Sequence, residues 1–400
     1  MESGSPSIRV MIVEVNDDGT IGGSHQVLWD VIRRLDRHLV EPVVAFYEDN
    51  PIAERLRGMG VSVIVLDDLH RDELKRYRSG RTTERYRAVV QAVRARVALL
   101  KRDQIDLVHI NNSPQVAIYD WLPAARNLGI PIVASAMGDA GPITGRIRRT
   151  LVRSYNHYIA VSHYMYQALR EQGVSESRIS LVRNGVDVSM IQSRLRRSRG
   201  SVRRELGVLP HQLLGVMVGN VRRWKGQHVV LQALALLPPD KRSRLVVAFA
   251  GANDPSGLDF QLELQSMVDD WGLAQHTRWL GRRDDVPDLF RAADFGLHAS
   301  ILPEPFGLVM VECMATGTPV IASQEGGAAE IVTPETGWCY RGGDADELAS
   351  LLMSLPLERA HFRRFAGTCR LRAEEFDARF MSQGVEDVYL RVSGGRRRWI

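Results

Sequence analysis

The segment HASILPEPFGLVMVECMATGTPVIAS, residues 298–323, is the most informative part of this chain. A helical run of apolar residues begins after Gly307 and ends at Gly317, with Pro319 just beyond. The short apolar run Val320–Ala322 follows and is typical of a buried strand. A helix that leads directly into a buried strand is the pattern of a parallel sheet with crossover helices.

Two carboxylates flank the start of this predicted helix. Glu304 precedes the turn Pro305–Gly307, and Glu312 lies about one turn into the helix, with seven residues between the two. A helix N-terminus offers unpaired N–H groups and a positive dipole end, which suit phosphate or sugar oxygens. Two acids would repel phosphate, so they are better suited to accept hydrogen bonds from a ribose and a sugar. These residues favour a nucleotide-sugar site; the alternative is an ordinary helix with a capping acid and a solvent-facing Glu312.

Length and composition are those of a soluble protein with two domains. The chain has 400 residues, of which 44% are hydrophobic and 25% charged, and this length suits two domains of roughly 180 to 200 residues. We find neither an apolar run long enough for a membrane span nor a signal peptide in MESGSPSIRVMIVEV. The three cysteines, Cys313, Cys339 and Cys369, have no metal-type spacing and predict reduced thiols in a cytoplasmic protein.

The net charge of +5 comes mainly from arginine. Basic residues cluster at Lys75–Arg87, Arg146–Arg153, Arg194–Arg204 and Arg396–Arg398. These clusters are either solvated helix faces or a weak dock for an anionic membrane face or a lipid-linked acceptor, and the second interpretation predicts peripheral contact with the membrane. Few aromatic residues lie among them, so we expect no nucleic-acid partner.

Strand and helix patterns alternate along the whole chain, which predicts an α/β protein with parallel sheets. The predicted strands are Arg9–Val15, Val43–Phe46, Val61–Leu66, Leu107–Ile110, Ile132–Ser135, Tyr158–Val161, Leu213–Val218, Leu245–Ala250, Thr277–Leu280, Phe295–His298 and Pro319–Ala322. The predicted helices include Ser24–Leu39, Tyr86–Lys101, Gln227–Leu237, Phe260–Trp271, Val286–Arg291 and Ala373–Val392. The Arg-rich segment Gln192–Val202 is the predicted linker between the halves.

The residues Glu304-Pro-Phe-Gly-Leu with Glu312 resemble the E-x7-E signature of the retaining glycosyltransferases of family 4, the group 1 glycosyl transferases. The resemblance implies the GT-B fold, in which two Rossmann-like, doubly wound parallel-sheet domains face a cleft. The first domain would be residues 1–190, completed by a C-terminal helix at about 375–400, and the donor-binding domain would be residues 203–374. The implied reaction is transfer of a sugar from a nucleoside-diphosphate donor with retention at the anomeric carbon.

The segment Val218–Gln227 is similar to the family's G-R-L-x-x-x-K-G element, whose Arg and Lys grip the diphosphate. Lys225 matches the Lys, whereas Asn220 replaces the Arg. Arg222 or Arg223 is a candidate for the missing charge, and a solvated loop is the alternative for this pair.

Further roles follow from the same resemblance. Glu304 would bind donor-sugar hydroxyls and steady the developing positive charge, and the backbone of Phe306, Gly307 and Leu308 would bind sugar and phosphate oxygens. Glu312 would hold the ribose, and Lys225 the diphosphate, so that Glu304 and Lys225 are the expected catalytic pair. We expect no cofactor and no metal ion, with a UDP, GDP or ADP sugar as the donor.

Three glycines and an arginine complete the predicted donor site. Gly22 and Gly23 belong to the loop Asn16–Ser24 between the first strand and a helix, which resembles the family's glycine loop over the donor phosphates. Gly251 and Arg282 follow strands at positions where the family's backbone contacts nucleotide and base. For these two, ordinary strand-end turns are the alternative.

The acceptor side departs from the family. Met137 occupies the position of a histidine that contacts the transferred sugar, and methionine is at best a weak acceptor. Asp139 and His109 are candidate substitutes, and for His109 a structural role is the competing interpretation. Two alternatives stay open: a nucleotide-sugar epimerase or hydrolase on the same fold, and a non-catalytic nucleotide-sugar-binding partner subunit, which the departures at Met137 and Asn220 support.

Overall fold

The computed structural model describes residues 7–15, 22–66, 82–112, 114–115, 117–138, 150, 152–252 and 258–394. The chain divides into two compact units. The first unit consists of Met1–Gly185 together with Ala378–Ile400, and the second unit is Val186–Asp377.

The first unit contains a seven-stranded sheet of order β3-β2-β1-β4-β5-β6-β7, in which all neighbours pair in parallel. Its strands are β1 (Ile8–Glu14), β2 (Val40–Phe46), β3 (Ser62–Val65), β4 (Leu107–Ile110), β5 (Ile132–Ala136), β6 (His157–Ala160) and β7 (Ile179–Leu181). The central strands are almost continuously buried, as Val10 to Val13 show, because helices cover both faces of a doubly wound sheet.

The described helices of this unit are α1 (Gly23–Ile32), α2 (Pro51–Gly58), α3 (Thr82–Arg102), α4 (Trp121–Asn127), α5 (His163–Glu171) and, from the end of the chain, α17 (Ala378–Ser393). Helix α17 packs against α1 and β6. The Ser382 hydroxyl donates to the carbonyl of Asp30 at 3.2 Å, and the Tyr389 hydroxyl lies 2.6 Å from Nδ1 of His109. The last helix is therefore part of the first unit's core.

The second unit contains a six-stranded parallel sheet of order β10-β9-β8-β11-β12-β13. Its strands are β8 (Leu213–Val218), β9 (Leu245–Ala250), β10 (Thr277–Trp279), β11 (Phe295–His298), β12 (Val320–Ser323) and β13 (Gly337–Tyr340). Its described helices are α6 (Val188–Ser193), α7 (Arg199–Glu205), α8 (Gln227–Leu236), α9 (Pro239–Arg242), α10 (Leu258–Asp270), α11 (Val286–Ala292), α12 (Leu308–Ala315), α13 (Ala328–Ile331), α14 (Ala345–Ser354), α15 (Arg359–Arg363) and α16 (Ala366–Glu374).

The prediction of a linker at Gln192–Val202 was wrong. The units divide at Gly185, and the segment carries the end of α6 and the start of α7 inside the second unit. Arg199 and Arg203 both pair with the buried carboxylate of Asp294, which also accepts the backbone N–H of β8. A basic run that neutralises an interior carboxylate is a packed element, and these two arginines are not available to a membrane.

Four predicted strands match the structure at both ends, and the others shift by one to three residues. The short edge strands β7 and β13 were missed. β13 begins with Gly337, where an added Cβ would lie 1.9 Å from the carbonyl oxygen of Val320. The close strand approach therefore demands a glycine, the residue that weakens the strand pattern in the sequence.

Two predicted helices were too long. Helix α1 ends at Ile32, ahead of the polar turn Asp36–His38. The predicted helix Ala373–Val392 is interrupted in the structure, where α16 ends at Glu374 and α17 begins at Ala378. The segment between the two helices pairs with Val186, whose N–H donates to the carbonyl of Phe376 at 3.0 Å.

Within the part of the chain that the structure describes, every helix is either too short or too polar to cross a lipid bilayer.

Candidate functional site

Lys225 and Glu304 meet at the carboxyl edge of the second sheet. Lys225 follows β8 and Glu304 follows β11, and these strands are neighbours where the order of the sheet reverses. Such a reversal point is the usual ligand position in a doubly wound sheet. Nζ of Lys225 donates to Oε1 of Glu304 at 2.8 Å, and the two side chains are only 17% and 14% exposed.

The other carboxylate oxygen of Glu304 is held by two more side chains. Oε2 lies 2.5 Å from Nε2 of His298 and accepts the Ser300 hydroxyl at 2.8 Å. His298 ends β11 and is 4% exposed, and its Nδ1 lies 3.2 Å from the hydroxyl of Ser323 at the end of β12. Both oxygens of Glu304 are thus held by side chains at the carboxyl edge of the second sheet.

These contacts determine the charge of Glu304. Burial acts to raise the pKa of this carboxyl, but the charges of Lys225 and His298 and their hydrogen bonds outweigh burial and hold the pKa well below its ordinary value. Glu304 is therefore an ionised acceptor at neutral pH, able to accept from hydroxyl groups and to stabilise a positive charge.

The main chain of Glu304 is clamped by the loop after β12. Its carbonyl accepts the N–H of Gly327 at 2.8 Å, and Glu304 forms a parallel bridge with Gly326. Gly326 has φ +74°, and an added Cβ there would lie 2.3 Å from the carbonyl oxygen of Glu304. This glycine is required both by its left-handed backbone and by the close approach of the two loops.

Helix α12 begins directly after this acid. Gly307 at its start has φ +101°, and Phe306 before it is buried against the ring of Phe376, with centroids 5.6 Å apart. Glu312 is half-buried on the same helix face as Leu308, whereas most of the remaining helix is buried. Leu308 and Glu312 therefore share one side of the helix, whose first-turn N–H groups point out of its N-terminal end.

Lys225 is placed by its own short 3-10 turn, Arg223–Lys225. Gly226 follows with φ +78°, where an added Cβ would lie 1.8 Å from the carbonyl oxygen of Ala299. The ammonium group lies 4.1 Å from the ring centroid of Trp224, whose carbonyl accepts the N–H of Ile301. The loops after β8 and β11 are thus bound to each other at the point where Lys225 and Glu304 meet.

Arg222 and Arg223, the candidate phosphate ligands, follow β8 as Lys225 does, and Arg223 is held by other side chains. Arg223 forms a two-point ion pair with Glu263 and covers the ring of Phe260, its Cζ 4.7 Å from the centroid. Arg222 is half-buried beside it and also makes interactions. Arg223 is therefore engaged by α10, whereas Asn220 has its carbonyl bound by Gln227 at 3.0 Å.

Gly251 and Arg282 occupy ordinary strand-end turns. An added Cβ at Gly251 would lie 1.9 Å from the carbonyl of Gly219, so this glycine allows two loops to pack. Arg282 is 75% exposed, with only a 4.0 Å approach to Asp284. Neither position lies in the network around Glu304.

In the first unit, Gly22 caps α1, and its N–H lies 3.4 Å from Nδ1 of His25, with Gly23 as the first helical residue. The rest of the predicted glycine loop, residues 16–21, lies outside the described residues, as does Asp139. Met137 directly follows β5 and is half-buried.

His109 has a structural role. It is 2% exposed, and its two ring nitrogens lie 2.6 Å from the Tyr389 hydroxyl and 2.8 Å from the Ser135 hydroxyl. Burial lowers the pKa of His109 to about 3, so it stays neutral. Its side chain joins β4, β5 and α17, which agrees with the structural role named as the competing interpretation.

Sequence reasoning missed His298, Ser300 and Ser323. The available signal was a set of polar residues at the carboxyl ends of two buried strands. Over the described residues, no three His, Cys, Asp or Glu side chains lie close enough together to hold a metal ion.

Two family models match complementary parts of the chain. The model described as Glycosyl transferases group 1 matches residues 199–367, which include Lys225 and Glu304, and the model described as Glycosyltransferase Family 4 matches residues 21–190. Both models describe glycosyl transferases, and together the two matches span both units. The predicted resemblance to the group 1 glycosyl transferases is thereby confirmed.

The chain is similar to proteins named D-inositol 3-phosphate glycosyltransferase. It is 32% identical to the one from Rhodococcus opacus over 56% of this chain and 50% of that protein. It is 29% identical to D-inositol 3-phosphate glycosyltransferase 2 from Catenulispora acidiphila over 72% of this chain and 70% of that protein. The chain spans about half the length of the Rhodococcus relative.

Comparison with solved structures establishes the fold of the chain. Anabaena HepE in complex with UDP superposes with a TM-score of 0.77 at 22% identity, covering 96% of this chain and 100% of HepE. A glycosyltransferase from Rickettsia africae superposes with a TM-score of 0.79 at 17% identity, covering 97% of this chain and 99% of that protein. The prediction of a GT-B fold, built from two Rossmann-like parallel-sheet units, is confirmed.

Proposed function

We propose that the chain is a retaining glycosyltransferase that moves a sugar from a nucleoside-diphosphate sugar to a hydroxyl acceptor without a metal ion. The observation that carries the proposal is the Glu304–Lys225 pair at the switch point of the second sheet, beside the start of α12. An ionised acceptor next to a cation matches a donor that presents sugar hydroxyls on one side and a diphosphate on the other.

In the proposed reaction, the bond between the anomeric carbon and the phosphate oxygen breaks while the acceptor oxygen attacks from the same face. The departing phosphate oxygen takes the acceptor proton, so the protein supplies no nucleophile. Its contribution is positioning and stabilisation of charge. The ammonium of Lys225 stabilises the charge on the nucleoside diphosphate, and Glu304 accepts sugar hydroxyls and steadies the positive charge at the anomeric carbon.

The nucleotide end of the donor is assigned to α12. The N–H groups of Phe306 to Leu308 are proposed to bind sugar and phosphate oxygens, because a helix start stabilises negative charge. Glu312, on the same side of the helix as Leu308, is proposed to hold the ribose hydroxyls.

The names of similar proteins suggest which donor and acceptor to test first. HepE has been solved in complexes with UDP and with UDP-glucose, so UDP-glucose is the first donor to test. Relatives named for D-inositol 3-phosphate make a phosphorylated cyclitol the first acceptor. Cell-surface polysaccharide and lipid-linked acceptors, met by peripheral contact with an anionic membrane, form the second set.

The experiment compares wild type, Glu304→Ala and Glu312→Ala. Calorimetric titration with UDP, GDP and ADP measures nucleotide affinity, and a donor screen with and without acceptors measures nucleotide release. Glu304→Ala is expected to abolish transfer while largely sparing nucleotide affinity, and Glu312→Ala is expected to weaken nucleotide affinity. Transfer is expected to persist in EDTA, and the anomeric configuration of the product should match that of the donor.

The same measurements separate the alternatives. Free sugar or an epimer released without an acceptor would indicate a hydrolase or epimerase. Nucleotide binding without turnover of any donor would indicate a non-catalytic partner subunit, which the Met137 and Asn220 departures favour. Unchanged nucleotide affinity in Glu312→Ala would refute the ribose assignment.

A further inference from the structure

His298 is a buried imidazole at the centre of the site that the proposed reaction does not itself use. It is 4% exposed, and it lies between the Glu304 carboxylate and the Ser323 hydroxyl. Because β11 and β12 pair in register, with His298 opposite Ala322, the hydroxyl of Ser323 reaches the far side of the ring. The imidazole is thus contacted at both nitrogens, by Glu304 in the loop after β11 and by Ser323 in β12.

The partners of the ring determine the direction of its hydrogen bonds. The ionised Glu304 can only accept, so Nε2 must carry the hydrogen and donate to Oε2 at 2.5 Å. Nδ1 lies 3.2 Å from the Ser323 hydroxyl, so this contact holds the opposite side of the ring. Ser323 therefore fixes the orientation of the ring that donates to Glu304.

Without His298, Ser300 would be the remaining contact to Oε2 among the residues that the structure describes. The Ser300 hydroxyl donates to Oε2 at 2.8 Å, and a hydroxyl on a single-bond rotor restrains a carboxylate less than a ring fixed at both nitrogens. On the Oε1 side, Lys225 is the residue expected to bind the diphosphate, so the bound donor would compete with Glu304 for the ammonium group of Lys225. His298 is thus the rigid restraint that remains when the donor is bound.

We propose that His298 is a positioning residue for the transfer reaction, holding Glu304 in the orientation that stabilises the anomeric carbon, with Ser323 holding the other nitrogen of the ring. This inference rests on the proposed function of Glu304. Because the proposed role is exerted through Glu304 at the transition state, its loss should lower kcat and leave donor affinity nearly unchanged.

Two matched variants separate positioning from packing. In His298→Gln the side-chain amide nitrogen reaches about as far as Nε2 and can still donate to Glu304. In His298→Asn the amide reaches only about as far as Nδ1, so the contact with Glu304 is lost while a polar group remains near Ser323. Both variants replace a ring by an amide, so a purely structural role would affect them alike.

The measurements are kcat and KM for the donor that turns over, affinity for the nucleoside diphosphate alone, and the melting temperature. We expect His298→Gln to retain kcat within about tenfold, and His298→Asn to lose about 100-fold, the scale of a misplacement of about 1 Å at a reacting group. Nucleotide affinity should stay within about threefold in both, and Ser323→Ala should lower kcat by about tenfold or less.

Equal kcat values for the Gln and Asn variants, or a loss that falls on nucleotide affinity instead of kcat, would overturn the inference. Glu304→Gln serves as the control for the underlying function. If Glu304→Gln is inactive while His298→Asn is fully active, the positioning role fails and the proposed function stands. If Glu304→Gln transfers sugar normally, the proposed function fails and the positioning role fails with it.

Discussion

The ion pair between Lys225 and Glu304 gives a stability prediction that requires no substrate. We consider the double-mutant cycle of Lys225→Ala, Glu304→Ala and the combined variant. The single variants each remove one partner from a buried charge, so their individual costs do not measure the pair. The coupling energy from the cycle isolates the interaction between the two side chains.

The magnitude follows from the geometry. Two unit charges about 4 Å apart attract by about 4 kcal/mol at an effective dielectric constant of about 20. Desolvation offsets part of this attraction, because the side chains are only 17% and 14% exposed. Hydrogen bonds between charged groups typically contribute about 1.5–3 kcal/mol net, so we expect a coupling energy of about 2 kcal/mol.

The assay is hydrogen exchange of the peptides that cover β11 and α12, since local exchange reports the second unit without requiring the whole chain to unfold in one step. A coupling of about 2 kcal/mol corresponds to roughly a 30-fold change in protection. The control is the exposed pair Arg170–Glu176, at 2.9 Å with side chains 41% and 71% exposed. Its coupling is measured on the peptides that cover α5 and Glu176, and we expect less than about 0.5 kcal/mol. Equal coupling energies for the two pairs would refute the reasoning.

Two further predictions concern the same loop. The pKa of Glu304 is lower in the folded chain than its ordinary value of about 4.5, so its charge stabilises the fold above that pH, and this contribution is lost as the pH falls through the folded pKa. In melting curves, the stability advantage of wild type over Glu304→Gln should be constant between about pH 6 and 8 and shrink below about pH 4.5; an advantage that grows with acidification would contradict it. Gly326→Ala should destabilise the fold by about 3 kcal/mol, because it combines a left-handed backbone with a clash against the Glu304 carbonyl. Gly58→Ala, with open space around the added methyl and a helical position, should be neutral or stabilising. Equal melting temperatures for the two alanine variants would show that the Gly326 loop relaxes freely.

The meeting of Lys225 and Glu304, 79 residues apart, was predictable because each follows the carboxyl end of a recognisable strand. Buried runs such as Leu213–Val218 and Phe295–His298 carry a strong strand pattern, and the rules for parallel sheets place their ends on one edge. The family motif then supplied the roles. The positions of the strands, and the edge of the sheet at which they end, can thus be predicted from local sequence patterns.

The contacts of His298 and Arg223 could not be predicted in the same way. His298 looks like the last residue of a strand, and only the register of β11 against β12 shows that Ser323 reaches its ring. Arg223 looks like a phosphate ligand, and only the packing of α10 brings Glu263 to its guanidinium. In both cases the side-chain partner lies on another element, and its position depends on tertiary packing.

The attachment of α17 to the first unit has a consequence for how the protein is made. Tyr389, whose hydroxyl lies 2.6 Å from Nδ1 of His109 in β4, lies 280 residues further along the chain and is synthesised after all the strands of both sheets. The second unit is one continuous segment, Val186–Asp377, and all of its strands are available before α17 is synthesised. Translation that stopped just after Asp377 would therefore give a chain with the complete second unit and a first unit that lacks α17.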